Sequence, residues 1–125
     1  MSTPYELLGG ESGVRALANE LYKVMSQRTE ASTIRAMHAK DTTEVAEKLF
    51  MFLSGWLGGP DLYFQKHGTV CLSSQHARFD IGSDERDQWL RCMDQALVNL
   101  NASDELIHML KEPVFNLAEM MRNAE

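Results

Sequence analysis

Residues 41–60 read DTTEVAEKLFMFLSGWLGGP, the pattern of a long and unusually apolar helix. Asp41 followed by Glu44 has the form of a capping box with Asp in place of Ser or Thr, so a helix is predicted from Asp41 to about Leu57. The Gly-Gly-Pro turn at residues 58–60 ends it. The predicted apolar face consists of Val45, Leu49, Phe52, Leu53 and Trp56, widened by Phe50 and Leu57.

Three further segments place apolar residues at helical spacing. The first runs from Glu11 to Ser26, the second starts at Ser83 and the third at Ser103, each of the last two with acidic residues in its first turn. Pro113 is expected to kink the last helix or split it near Glu112. The buried face of the first helix is predicted to be Val14, Leu17, Ala18, Leu21, Val24 and Met25. A short helical turn is predicted from Ile34, Met37 and His38.

Length and composition indicate one mostly helical domain, residues 1–125, able to bury its own core. The 12 Lys and Arg against 18 Asp and Glu give a net charge of -6, which opposes binding to nucleic acid. No apolar run approaches the roughly 18 residues of a membrane span, and the first residues do not resemble a signal peptide. The expected location is the cytoplasm, with no nucleic acid and no membrane as partner.

The segment from Asp61 to Gly82 shows no sustained period, and it is too apolar to be disordered. It contains His67, Cys71 and His76, whose spacing permits a metal site. Three ligands are too few for closed structural zinc, so a buried cysteine and two ordinary histidines are the preferred interpretation.

Two other interpretations of the potential ligands are weak. A di-iron bundle would need several Glu-x2-His pairs, and Glu105 with His108 is the only one. Cys71 and Cys92 do not form a disulfide framework and are interpreted as buried thiols.

A haem site is the second possibility, because a single histidine is sufficient as axial ligand. The helix of residues 41–57 can form one apolar wall, and the segment that ends at residues 74–79 can form the other. Composition alone gives this interpretation no more weight than a small helical interaction module without haem.

Four short sequence motifs favour the haem site over the haem-free module. They are YELLGG at residues 5–10, EKLFMFLSGWLGGP at 47–60, HARFDIG at 76–82 and ERDQWL at 85–90. In order and spacing the chain resembles the group II truncated haemoglobins, bacterial and plant globins with a two-over-two helical sandwich. The resemblance implies an all-α truncated globin fold with an irregular loop before the proximal histidine, and haem b as cofactor.

The resemblance also assigns roles to individual residues. His76 matches the proximal histidine that binds the iron, while Tyr22, Trp89 and His38 match the distal residues that face a bound ligand. Val45 stands where many globins carry a polar gate residue. The remaining expected haem contacts are Lys48, Leu49, Phe52, Tyr63, Leu72, Phe79 and Ile81, with Lys48 and Tyr63 toward the propionates. His67 and His108 are expected at the surface.

The function implied by the resemblance is binding of O₂ and other diatomic ligands at ferrous iron. Redox chemistry with NO or peroxide is expected, supplied with electrons by an unidentified reductase, in a monomer or weak dimer. Direct coordination of ferric iron by Tyr22 or His38 stays open at this point. Two rival classes are a haem-based sensor without turnover and the haem-free interaction module.

Overall fold

The described residues, 3–68, 76 and 79–124 of a computed structural model, are organised by seven α-helices and contain no strand. This confirms the predicted all-α class. The helices are α1 Pro4–Leu8, α2 Gly10–Gln27, α3 Ser32–Ala36, α4 Thr43–Trp56, α5 Leu62–His67, α6 Ser83–Asn99 and α7 Asp104–Met121, with a 3-10 turn at Thr29–Ala31. Within these residues, none of the helices has the length and apolar content needed to cross a lipid bilayer.

Helix α2 is the centre of the fold. It packs against α4 on one side and α6 on the other, and α6 in turn packs against α7. The two long pairs, α2 with α4 and α6 with α7, form the two-over-two arrangement. All six residues of the predicted α2 face, from Val14 to Met25, are at most 2% exposed, which confirms the predicted face. Burial of such aliphatic side chains is the main source of stability in a helical domain.

Helix α4 ends at the predicted turn but does not begin as predicted. Its first residue is Thr43, and the Asp41–Glu44 capping box is absent. Asp41 instead accepts hydrogen bonds from the Thr43 N–H at 3.0 Å and the Thr43 hydroxyl at 2.6 Å. Asp is short enough to bond two residues ahead in a local turn. Because of this turn, the helix begins at Thr43, two residues after the predicted start at Asp41. At the other end, Gly58 adopts a positive φ of 99° that favours glycine.

The structure corrects one prediction about irregular structure and tests part of another. Residues 62–67 form α5 inside the segment predicted to lack regular structure, because a six-residue helix is too short to show a period. Pro113 does not split α7, which runs unbroken from Asp104 to Met121. Proline has no N–H, so the carbonyl of Met109, four residues before Pro113, has no helical hydrogen-bond partner. Both residues are exposed, so water can bind that carbonyl.

The predicted start of α7 is confirmed, and that of α6 is modified. The Ser103 hydroxyl accepts from the Leu106 N–H at 3.1 Å. In α6 the Glu85 carboxylate accepts from the Gly82 N–H at 2.8 Å. The capping side chain is therefore a residue of the first helical turn and not the residue before the helix. Cys92, in the middle of α6, is fully buried as predicted, and Cys71 lies outside the described residues.

Candidate functional site

Helix α4 presents two apolar faces rather than one. Ala46, Phe50, Leu53 and Leu57 are buried against the core. A second stripe is only half-buried and follows the helix at intervals of four, three and four residues; it consists of Val45, Leu49, Phe52 and Trp56. An apolar stripe left at the edge of the core is a suitable wall for an apolar ligand. This stripe is distinct from the core-facing side of α4, and its role as a wall of a haem site stays a prediction.

Tyr22 lies on α2 at the edge of the core and is 8% exposed. Its hydroxyl makes no hydrogen bond to the part of the chain that the structure describes. Within the same residues no fully buried side-chain oxygen or nitrogen lacks a partner, so this hydroxyl borders open space. Burial raises the pKa of Tyr22 to about 12, which keeps the phenol protonated. Tyr22 is thus a hydrogen-bond donor without an acceptor among the described residues.

Trp89 supplies a second donor from α6. Its ring is half-buried and packs against the same core cluster that contains Tyr22. The indole N–H also has no hydrogen-bond partner among residues 3–68, 76 and 79–124. An indole that packs with its ring and leaves its N–H unsatisfied is suited to bind a ligand acceptor atom.

His38 lies just beyond α3 with its ring against Tyr22. The two ring centroids are 5.3 Å apart, with the planes at 72°. His38 Nδ1 lies 2.8 Å from the Ile34 carbonyl oxygen, which can only accept, so Nδ1 carries the proton. In the neutral ring Nε2 is then an acceptor. Burial lowers the pKa of His38, and the charges of Arg35 and His76 lower it further against the opposing effect of the Ile34 bond.

The loop that carries His38 is held by Arg35, which was not predicted. The Arg35 guanidinium donates to the carbonyl oxygens of Ala39 at 3.0 Å and Lys40 at 2.8 Å. Its Nε donates to the Ser26 hydroxyl at 2.8 Å, and that hydroxyl donates to the Tyr22 carbonyl at 2.9 Å. Arg35 thereby connects the His38 loop to the turn of α2 that carries Tyr22. A basic residue in the last turn of a short helix is the signal that indicates such a role.

His76 lies close enough to His38 for their charges to interact, although 38 residues separate them in sequence. The predicted proximal histidine thus acts electrostatically on a predicted distal residue. Phe79 is half-buried, and Ile81, two residues later, is buried. Leu72, the remaining expected contact of this segment, lies outside the described residues.

An open groove of about 570 Å³ runs beside the first half of α4. Its basic side contains Lys48, Lys66 and His67. Its acidic side contains Asp41, Glu44 and Glu47. Tyr63 borders this region, because its ring packs on His67 with 4.9 Å between centroids. The groove therefore has Lys48 in its lining and Tyr63 against another lining residue, His67.

The surface positions of the other histidines agree with the sequence. His67 and His108 are both exposed, and no group of three metal-binding side chains occurs within the described residues.

The lowered pKa of His38 predicts how stability depends on pH. The unfolded chain takes up the proton first as the pH falls, because its histidine titrates near the ordinary value of 6.5. The stability contributed by His38 is therefore present above about pH 6.5 and is lost as the pH falls through the folded pKa. Urea unfolding at pH 7.5, 6.5 and 5.5 should show a smaller loss in His38→Gln than in the wild type.

The matched control for this experiment is His108→Gln, which changes an exposed histidine of α7 outside the site. An equal loss of stability in wild type and His38→Gln would contradict the assigned burial of the neutral ring.

Comparison with known proteins is consistent with this geometry. The sequence matches the bacterial-like globin family over residues 3–123. It is 32% identical over 110 residues to the group 2 truncated hemoglobin YjbI of Bacillus subtilis, covering 87% of this chain and 80% of that protein.

Solved structures give the same result. A cold-adapted truncated hemoglobin from the Antarctic marine bacterium Pseudoalteromonas haloplanktis superposes with a TM-score of 0.94 at 41% identity, covering 99% of this chain and all of the other. The group II 2-on-2 hemoglobin of Agrobacterium tumefaciens gives a TM-score of 0.93 at 38% identity, covering 100% of this chain and 97% of the other. The chain belongs to the bacterial-like globin family and has the two-over-two fold of its group II truncated haemoglobins.

Proposed function

We propose that this protein is a haem b protein that binds O₂ and other diatomic ligands at ferrous iron and uses them in redox chemistry. Membership in the globin family implies a haem cofactor and small gas ligands. The observation that carries the proposal is the pair of donors, the Tyr22 hydroxyl and the Trp89 indole N–H, without acceptors in the described chain.

The donor set and the apolar wall fit a haem group. His76 provides an imidazole for the axial position, and the half-buried stripe of α4 provides Leu49 and Phe52 for the porphyrin face. Lys48 lines the groove beside α4, and Tyr63 packs on His67 of the same groove; we assign both to the propionates. The proposal extends these contacts to Leu72, Phe79 and Ile81.

The distal residues act on the ligand through hydrogen bonds. When bound, haem supplies an iron that takes a diatomic ligand and passes electron density to it. Tyr22 and Trp89 then donate to the partly negative ligand atom, in surroundings of low dielectric where such bonds are strong. Because burial keeps the pKa of Tyr22 near 12, this donor retains its proton at all physiological pH values.

His38 has a different role from the other two. With Nδ1 donating to Ile34, the neutral ring offers an acceptor at Nε2. It can accept a hydrogen bond from Tyr22 or take a proton from a peroxide ligand, as general-base chemistry requires. Either Tyr22 or His38 is proposed as a direct ligand of ferric iron in the absence of an added ligand.

The proposed reactions are NO dioxygenation and a peroxidase-like reaction. In the first, one NO, one O₂ and one electron give one nitrate, so turnover requires an electron donor. We propose an unidentified reductase as that donor, the cytoplasm as the location and a monomer or weak dimer as the working form.

The first experiment is reconstitution with haemin followed by absorption spectroscopy. A Soret band in a stable 1:1 complex is the expected result. A protein that stays colourless after exposure to haemin would contradict the proposal and favour a haem-free interaction module.

The second experiment separates turnover from sensing. With a generic ferredoxin or flavodoxin reductase system and NADPH, the protein is expected to convert many equivalents of NO to nitrate. Consumption of a single equivalent per haem under these conditions would instead indicate a ligand sensor without turnover.

A further inference from the structure

The side chain of Asn123, just beyond the end of α7, bonds to the main chain that carries His76. Its Nδ2 donates to the carbonyl oxygens of His76 at 3.2 Å and Phe79 at 2.8 Å. Its Oδ1 accepts from the Ile81 N–H at 2.9 Å. In the same turn the Phe79 N–H donates to the His76 carbonyl at 3.1 Å. One side chain thus holds three backbone groups at and after the histidine.

Main-chain bonds and an ionic network keep Asn123 in place. The N–H groups of Asn123 and Ala124 both donate to the Ile81 carbonyl, at 2.8 and 3.0 Å. Before it, Glu119 accepts from Arg122 at 2.6 Å and from Arg86 of α6 at 3.2 Å. The segment after α7 is therefore docked independently of the Asn123 side chain, so replacing that side chain should leave the fold intact.

Asparagine is well suited to this position. Its amide has two N–H donors and one acceptor oxygen, and all three functions are used on three different backbone groups. A held carbonyl restricts rotation of its own peptide, and the direction of a side chain depends on that backbone and its allowed rotamers. Constraints on the His76 carbonyl therefore reach the imidazole.

We propose that Asn123 is a positioning residue for the axial ligand: it fixes the main chain of His76 and thereby the direction of the imidazole toward the haem iron. The inference rests on the proposed function, in which His76 is that ligand. Partners of this kind around a metal ligand set its orientation and affect how tightly the metal group is retained.

The test uses the haem-reconstituted protein with two variants. Asn123→Ala removes all three side-chain bonds, and Asn123→Asp keeps an acceptor but loses both donors. Asn116→Ala and Asn116→Asp, at an exposed position of α7, are the matched controls. The measurements are the iron–histidine stretching band of the ferrous ligand-free protein, the rate of haemin transfer to a scavenger apoprotein, and hydrogen exchange of the Ile81 amide.

Both Asn123 variants are expected to shift or broaden the iron–histidine band and to lose haemin about tenfold faster, the factor that corresponds to about one net hydrogen bond. Ile81 exchange should also rise about tenfold in Asn123→Ala. The Asn116 variants should match the wild type in all three measurements.

Three results would overturn the proposal. An unchanged band together with faster Ile81 exchange would show that Asn123 serves only the loop. Unchanged exchange in Asn123→Ala would show that the three bonds do not hold the segment in solution. A wild-type protein without a Soret band would remove the proposed function itself and this inference with it, whereas the first two results leave haem binding by His76 standing.

Discussion

His76→Gly is expected to lose haemin at least about 100-fold faster than the wild type, because even the outer partners of a metal ligand contribute about 10- to 100-fold to affinity. The glycine removes the imidazole proposed as axial ligand. The Soret band of any haem that remains should shift, since its fifth ligand is then water or another side chain. Added imidazole should restore both the spectrum and the retention of haemin, because free imidazole can occupy the position of the missing side chain.

The control for this variant is His108→Gly, which removes an exposed histidine outside the proposed haem contacts. It is expected to keep the wild-type spectrum. An unchanged fifth ligand in His76→Gly would show that another residue binds the iron and would require a new assignment of the site.

The α2 helix shows why part of the fold could be predicted from sequence. Its six predicted core residues are all buried because the helix packs against both α4 and α6. A helix with this environment has one consistent apolar face, and its period is visible without tertiary information. The same reasoning succeeded at Ser103, where a local cap depends on residues three positions apart.

The α4 helix shows where the period is not sufficient. The sequence predicted one wide face, and the structure divides it into a core side with Phe50 and Leu53 and a half-buried side with Leu49 and Phe52. Both sides are apolar because one packs in the core and the other borders the candidate haem site. Hydrophobicity alone does not distinguish the two environments.

Long-range polar contacts could not be predicted from the sequence. Asn123 bonds to residues 42 to 47 positions away, and Arg35 holds a loop through carbonyl groups that every residue possesses. Side-chain bonds to the backbone leave no compositional trace, since the partner is the main chain. The proposed role of His76 came from resemblance, because its spacing to His67 and Cys71 also permitted a metal site.

Tyr22→Phe is the second large expected effect, and it should separate ligand binding from stability. The ring volume is kept, and the substitution removes no hydrogen bond to a described residue. The free energy of unfolding should therefore stay close to that of the wild type. A bond from a phenol to a charged ligand atom is worth about 1.5–3 kcal/mol, so O₂ dissociation should accelerate about 10- to 100-fold.

Stopped-flow displacement of O₂ by CO measures this rate, and Tyr5→Phe on α1 is the matched control. Because the pKa of Tyr22 is raised to about 12, the ratio of the O₂ dissociation rate of Tyr22→Phe to that of the wild type should stay constant from about pH 6 to 9.

Trp89→Phe removes the second donor and should also accelerate O₂ dissociation. If both groups donate to one ligand atom, their effects will be non-additive in the double variant. Unchanged dissociation in both single variants would mean that these side chains only pack, and that the half-buried wall of α4 retains the ligand alone.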